Sequence, residues 1–380
     1  MELILKQYDI PLLRFSATND SSTPEIEVHW INEDQKHLLP LDMELSPEGI
    51  SRWMRRRTIP RNRAYVNRLL AKCGLNANRP MGILALCKGL SVDDSYWVIE
   101  EGFEGTFERY NLFENRLSEV LALIAFTGYG SSNRSSLASS PEFTTNGMLP
   151  KCWRRISGKV TLYKGGTDGG YNTGAEPYCE YYAAQVAAAM GIDAIPYGLS
   201  QWKGRLCSTC ELFTDIDHAY MPIGNLVQRG GFDAVAAYYE KLGEPFQKAF
   251  RDMLVFDAVI CNTDRHYGNF GFMIDNKTNT IAAPAPLFDH GNSLFNQAGP
   301  EDYESPEAFQ QYIDTLVPCV YDDFFATAKR FMTDENREQL RKLLGFRFKR
   351  HVRYNLPPKR LKLMEEQVRK RAMRLLENKE

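Results

Sequence analysis

The chain has 380 residues, of which 43% are apolar, with a formal net charge of −2. That is enough chain to bury a large core in two or three structural units, and too little net charge to steer the whole molecule toward a polyanion. The N-terminus has no basic leader followed by a long apolar stretch, and no apolar run approaches the length of a membrane span. The expectation is a soluble, cytoplasmic protein with no stable membrane association.

Residues 1–110 mix short strands and helices, with a polar loop at Ala17–Pro24. This segment is read as an N-terminal subdomain. It contains a basic cluster, Arg52, Arg55, Arg56, Arg57, Arg61, Arg63, Arg68 and Lys72, with no acidic residue between its members. Such a patch suits nucleic acid or another polyanion. Its plainer meaning is a solvated helix face balanced by acidic neighbours elsewhere. No DNA-reading motif accompanies it, so a nucleic-acid partner is unsupported.

Residues 111–215 form the next segment. An apolar helix from Asn115 to Phe126 precedes a Ser/Gly/Asn-rich stretch, Thr127–Ser140, that reads as loop. Lys159–Lys164 is a strand, followed by the glycine-rich turn Gly165–Gly170 and a helix. Pro177 suits that helix's first turn and Gly191 the position past its end. The strands Ile195–Gln201 and Leu206–Phe213 read as a hairpin turning at Trp202–Arg205.

Residues 216–380 are mostly helical. Phe246, Phe250, Leu254 and Ala258 mark one helix face. Asn269–Ile274 and Thr280–Leu287 flank a turn and form a second hairpin. Lys359–Glu380 reads as a solvated, basic, amphipathic closing helix. The eight cysteines follow no regular framework and read as reduced core thiols. Cys207 and Cys210 form a CxxC without the second Cys/His pair that zinc requires.

The chemistry concentrates in Asn262-Thr-Asp-Arg-His-Tyr-Gly-Asn-Phe270 and Pro286-Leu-Phe-Asp-His-Gly291. Phosphoryl transfer needs a positioned hydroxyl, a cation on the phosphates and ligands for that cation. Asp264 suits the catalytic base. Asn269, five residues later, and Asp289, delivered by the second hairpin strand, suit a magnesium ion, which takes few protein oxygens. A lone D-x-x-x-x-N is a weak signal. Followed by a hairpin and apolar-D-x-G, it is a much stronger one. His266 reads as a residue packed beneath the loop and Arg265 as a loop anchor or charge partner. Upstream, Lys164 ends its strand within reach of nucleotide phosphates, and Glu180 on the next helix suits a partner for it. Glu176, at the helix start, reads as a dipole-complementing residue. Thr144–Lys151 reads as a phosphate-covering loop, in which Thr145 and Gly147 approach the nucleotide and Lys151 adds charge. Glu211–Phe213 occupies the place of a hinge that takes adenine by backbone hydrogen bonds.

Leu162-Tyr-Lys-Gly-Gly166, Glu180 ahead of Gly191-Ile192, Asn262–Asn269 and Pro286–Asp289 together resemble the HipA-like serine/threonine kinases. The resemblance covers roughly residues 140–330. It implies an α+β, two-lobed, protein-kinase-like fold. A small mixed-sheet N-lobe (111–215) and a mainly helical C-lobe (216–380) would follow the N-terminal α/β subdomain. It implies ATP and Mg²⁺ as cofactors, Ser or Thr hydroxyls of a protein substrate as acceptors, and an antitoxin-like regulatory partner. Asp264 matches the catalytic aspartate, Asn269 and Asp289 the metal ligands, Lys164 the nucleotide lysine and Glu180 the helix glutamate. The family's loop carries an autophosphorylated serine, where this chain offers Thr144 and Thr145. Residues 1–110 do not match the family's small N-terminal domain. Two alternatives stay open. One is a phosphoinositide-type lipid kinase, which shares Asp-Arg-His-x-x-Asn. The other is a non-catalytic nucleotide- or DNA-binding regulator.

Overall fold

The computed structural model describes residues 1–18, 24–130, 140–169 and 174–377. Parts of the loops expected at Ala17–Pro24, Thr127–Ser140 and Gly165–Gly170 therefore lie outside the described residues. The chain divides into two compact units. One comprises Met1–Lys164, Glu211–Met221 and Met273–Ala282, and the other Gly165–Cys210, Pro222–Phe272 and Ala283–Glu380. These units replace the three consecutive segments expected at 1–110, 111–215 and 216–380. The physical reason is a shared core. Leu90, Val92, Trp97 and Ile99 are buried in one cluster with Leu117, Trp153 and Val160, so the boundary at residue 110 does not separate two cores.

In the first unit an antiparallel sheet runs Ile26–Ile31, Ile10–Ala17, Glu2–Gln7, Tyr96–Glu100 in spatial order. Alternation along the strands puts Leu3, Leu5, Leu13 and Phe15 into a core closed by Ile50, Trp53 and Met54 of helix Pro47–Arg56. Ser46 caps that helix by accepting from Gly49 N–H, and Pro47 fills its first position. The helix Glu119–Thr127, begun by Ser118 and ended by left-handed Gly128, packs against strand Lys151–Ile156. That strand pairs antiparallel with Lys159–Gly165.

The basic cluster is only partly the solvated face expected of it. Arg57 is buried, forks onto Asp94 at 2.7 and 2.8 Å, and lies 4.6 Å from the Trp53 ring centre. Arg63 is buried against Glu142, and Arg56 meets Asp42 at 3.0 Å. Arg52, Arg55, Arg61 and Arg68 remain exposed. Burial, with Asp94 beside it, pushes the partly buried Asp93 carboxyl up to about 6. A carboxyl raised on folding adds stability that is complete below its unfolded value of 3.8 and is lost as pH rises through about 6. Asp93→Asn is therefore expected to raise the melting temperature at about pH 8 and to change it little at about pH 4. An equal difference at both pH values in thermal melts would refute the assignment.

Strands Thr280–Pro284, Gly271–Asp275 and His218–Pro222 form a three-stranded sheet in that order. The hairpin tip is exposed at Lys277 and Thr278 but anchored at the buried asparagines on either side of them. Asn276 accepts from Gln7 Nε2 on its carbonyl at 2.6 Å and donates to Ile216 O, while Asn279 donates to His37 O and Leu39 O. Gln7 of the N-terminal sheet, with the His37 and Leu39 carbonyls, thus grips the tip of this hairpin.

The second unit is built on helix Phe246–Ile260, whose Phe250, Leu254 and Ala258 are buried as their spacing requires. Phe250 stacks on Tyr239 with ring centres 4.8 Å apart and meets Phe331 edge-on at 5.7 Å. The closing helix, Pro358–Leu376, departs from the solvated reading. Leu361, Met364, Val368, Ala372 and Leu375 form a buried stripe, and Arg371 Nε donates to Ala258 O at 2.6 Å. Glu176–Met190 is the expected helix, with Pro177 in its first turn and Gly191 at φ 80° behind it. Strands Gly198–Trp202 and Arg205–Glu211 turn through Lys203 and Gly204, both at positive φ, a two-residue hairpin whose twist matches its strands. All eight cysteines are free thiols. No described helix is long and apolar enough to cross a membrane.

Candidate active site

The second unit brings together Asp264, Asn269, Asp289 and Glu180. Helix Phe246–Ile260 ends at Cys261 in the left-handed region, where its N–H caps Asp257 O. The chain then turns into the loop that carries Asp264. Asn262 Oδ1 accepts from Asp264 N–H at 3.1 Å, and Asn269 Nδ2 donates to Asp264 O at 3.4 Å. These bonds close the five-residue interval through the amide nitrogen of Asn269. His266 is exposed rather than packed beneath the loop, and its Nδ1 accepts from Gly268 N–H at 3.0 Å. A methyl group at Gly268 would stand 2.8 Å from that ring, so the turn admits only glycine without displacing it.

Arg265 is the hub, and it is the anchor that its sequence context suggests. Its side chain is 1% exposed. Nε and Nη2 fork onto the Asp257 carboxylate at 2.9 and 3.0 Å. Nη1 donates to Asn269 O at 3.2 Å and to Phe288 O at 2.5 Å, and Nη2 donates to His290 Nδ1 at 3.0 Å. A guanidinium has no acceptor, so His290 Nδ1 must be the unprotonated nitrogen. Burial works against the Arg265 charge. Asp257 more than offsets it, holding the guanidinium above its ordinary pKa. One side chain therefore ties the loop of Asp264 and Asn269 to the segment of Asp289.

Asp289 sits at φ 57°, a left-handed backbone that Asp tolerates better than most residues. Its N–H donates to Tyr197 Oη at 3.1 Å, and the next N–H, of His290, donates to the buried Glu180 carboxylate at 2.7 Å. Burial, with Glu180, Cys210 and Asp289 adding, keeps the Tyr197 phenol well above its usual pKa and so neutral. Asn292 completes the group. Its Nδ2 donates to Asp264 Oδ2 at 2.8 Å, its Oδ1 accepts from Asn296 Nδ2, and its carbonyl accepts from Thr263 N–H. Asp264 is thereby held by one oxygen. Asn292, Tyr197 and Asp257 were not singled out from sequence. Of the three, only Asp257 carried a signal, as a lone acid inside the apolar run Met253–Ile260.

The first unit holds the other expected residues. Lys164 is buried, and its Cα pairs in register with Lys151, also buried, so the two lysines share one face of the sheet. Gly147, at φ 91°, is exposed at the loop tip, and a Cβ there would stand 2.2 Å from Lys151 Nζ. Both threonine hydroxyls of this loop are already engaged. Thr144 is buried and donates its hydroxyl to Leu90 O. Thr145 donates its own to Pro141 O and accepts from Trp153 Nε1. Neither hydroxyl is presented for phosphorylation in this conformation. At the expected hinge, the Glu211 carboxylate pairs with Lys159 in solvent, Leu212 N–H already bonds Val160 O, and Phe213 meets Tyr220 edge-on. That bond removes the Leu212 N–H from the backbone donors that the hinge reading would offer to adenine. Glu176, in the second unit, does more than complement a helix dipole, because its carboxylate accepts from Thr167 N–H and hydroxyl.

Among the described residues no cluster of His, Cys, Asp and Glu could hold a metal by itself. One Asn amide oxygen and one carboxylate nevertheless fit Mg²⁺, a hard cation whose remaining positions go to phosphates and water.

No protein-family model matches the chain. A serine/threonine-protein kinase of Helicobacter pylori, CtkA, is 27% identical over 135 residues, which are 32% of this chain and 41% of that kinase. The alignment thus spans about two-fifths of that relative's length. The crystal structure of the H. pylori proinflammatory kinase CtkA matches with a TM-score of 0.50 at 15% identity, over 61% of this chain and 90% of that one. HipA of Shewanella oneidensis, solved with HipB and operator DNA, matches with a TM-score of 0.53 at 12% identity, over 98% and 97% of the two chains. The chain has the HipA-like kinase fold. The α+β, protein-kinase-like architecture and the family resemblance are both borne out. Because the HipA match runs over 98% of the chain, residues 1–110 fall within the HipA-like fold, contrary to the mismatch expected from sequence.

Proposed function

We propose that the chain is an ATP- and Mg²⁺-dependent protein kinase that phosphorylates Ser or Thr hydroxyls. The observation that carries this reading is the Arg265 hub, which ties Asn269 to the Phe288–His290 segment and so holds the loop of Asp264 beside that of Asp289. Asp264, steadied by Asn292, accepts the proton of the attacking hydroxyl as its oxygen bonds to the γ-phosphorus and the bond to the β-phosphate oxygen breaks. Asn269 and Asp289 would hold the cation, which supplies neutralisation of charge on the phosphoryl oxygens. Lys164 supplies a fixed positive charge to the nucleotide phosphates, and Glu180, by bonding His290 N–H, steadies the backbone beside Asp289. The named kinase relative supports the acceptor class. The HipA neighbour, solved with HipB, supports an antitoxin-like partner.

The test incubates the chain with labelled ATP and Mg²⁺ beside mixed protein substrates, phosphoinositide vesicles and no acceptor. Label in protein supports the proposal. Label confined to lipid would replace it with the lipid-kinase reading, and no label with nucleotide bound would replace it with a regulatory one. Asp289→Asn should raise the Mg²⁺ concentration for half-maximal activity by about tenfold or more, since a neutral amide holds a hard cation less well than a carboxylate. A titration curve unmoved by the change would remove Asp289 from the cation.

A further inference from the structure

The first unit contains a buried ion pair that none of the steps above uses. Arg63, 0% exposed at its side chain, meets Glu142, 1% exposed, at 2.7 Å. The guanidinium also donates to three backbone carbonyls: Glu142 O at 2.6 Å, Thr145 O at 3.2 Å and Lys151 O at 2.9 Å. Those carbonyls lie on the two sides of the loop tip Asn146-Gly147-Met148, which is exposed. The neighbouring residue adds a third hold, because Ala64 N–H donates to Met148 O at 2.8 Å. Glu142 is itself fixed at its other oxygen by Trp153 N–H at 2.8 Å, on the strand that Lys151 begins. Inside the loop, Lys151 Nζ donates to Asn146 O at 2.7 Å.

We infer that Arg63, through its ion pair with Glu142, is a positioning residue that holds the Thr144–Lys151 loop in the shape that covers the nucleotide phosphates, so that part of the nucleotide affinity is set by residues 63 and 64. This inference rests on the kinase reading for the role of the loop. The brace itself does not. Two features favour a positioning device over a purely structural staple. Three of the four atoms that accept from the guanidinium are carbonyls of the loop and its margins, so the fork defines loop shape rather than joining two helices. At the tip, Asn146 O is held by Lys151 Nζ and Met148 O by Ala64 N–H, while the glycine between them, at φ 91°, imposes no conformation of its own, so the tip takes its shape from the margins that Arg63 fixes.

Removing Arg63 alone leaves Glu142 charged and buried, so Arg63→Met reports unfolding together with any loop effect. The informative protein is the full chain carrying Arg63→Met with Glu142→Met, which removes both charges and fills the space with apolar side chains. Arg63→Lys serves as the conservative variant, retaining the charge but not the fork. Folding is checked by thermal melting, loop order by amide exchange across residues 144–150, and nucleotide use by KM and kcat with ATP and Mg²⁺. Exchange at 146–148 should speed up, and the KM for ATP should rise about tenfold with kcat changed much less, the signature of a misplaced binding loop. Arg63→Lys should fall between the double variant and the parent.

Unchanged exchange in a folded double variant overturns the brace whatever the activity. Faster exchange with KM within about twofold of the parent overturns its role in nucleotide binding. Should the parent neither bind nor turn over ATP, the kinase reading falls and the positioning role falls with it, while the exchange data still decide the brace.

Discussion

Asp264→Asn is expected to lower phosphoryl transfer by roughly 10²- to 10⁴-fold while leaving ATP affinity and the melting temperature near those of the parent. The size follows from the role. A positioned carboxylate that takes the proton in the transition state contributes that much, and an amide of the same shape cannot accept it. The preserved fold follows from the local bonds. The Asp264 N–H is held by Asn262 and its carbonyl by Asn269, neither of which involves the carboxylate. Among the described residues only Asn292 Nδ2 bonds the side chain, at Oδ2, and an amide oxygen can still accept it. Rates measured under ATP saturation, beside nucleotide titration and a thermal melt, separate the outcomes. Loss of activity together with loss of nucleotide binding would place Asp264 in binding instead. Retained activity would mean that the proton leaves by another route.

Much of this site was legible because it depends on local order along the chain. Asp264 and Asn269 lie five residues apart in one loop, and Asp289 follows a hairpin whose turn residues mark it plainly. Pro177 and Gly191 bounded their helix for equally local reasons, a tolerated missing donor and a left-handed cap. What stayed hidden depends on partners distant in sequence. Arg63 and Glu142 are 79 residues apart, and nothing local marks either as paired. The grip of Gln7, His37 and Leu39 on the hairpin tip spans more than 200 residues. The closing helix looked solvated because Lys and Arg dominate it, yet its apolar residues recur at 361, 364, 368, 372 and 375, the spacing of a buried stripe. His266 was misplaced for a different reason. Its sequence neighbour Arg265 takes the buried position, and two adjacent side chains of one turn cannot share it.

The hub predicts a second large effect, and one that separates stability from chemistry. Arg265→Met should destabilise the chain by about 3–5 kcal/mol, because it leaves the Asp257 carboxylate buried without its partner. Denaturant melts should show the loss as an earlier midpoint. Adding Asp257→Leu removes the orphaned charge and should restore most of that stability, since apolar pairs often replace buried ion pairs at no net loss. Activity should not return with it. Asn269 O, Phe288 O and His290 Nδ1 would still lack the donor that ties the Asp264 loop to the Asp289 segment. A double variant that melts like the parent but transfers phosphate at least about 100-fold more slowly would show that Arg265 positions the reacting groups, in line with the cost of a small misplacement. A double variant restored in both respects would reduce Arg265 to a counter-ion for Asp257, and the alignment of the three carboxamide and carboxylate groups would need another source.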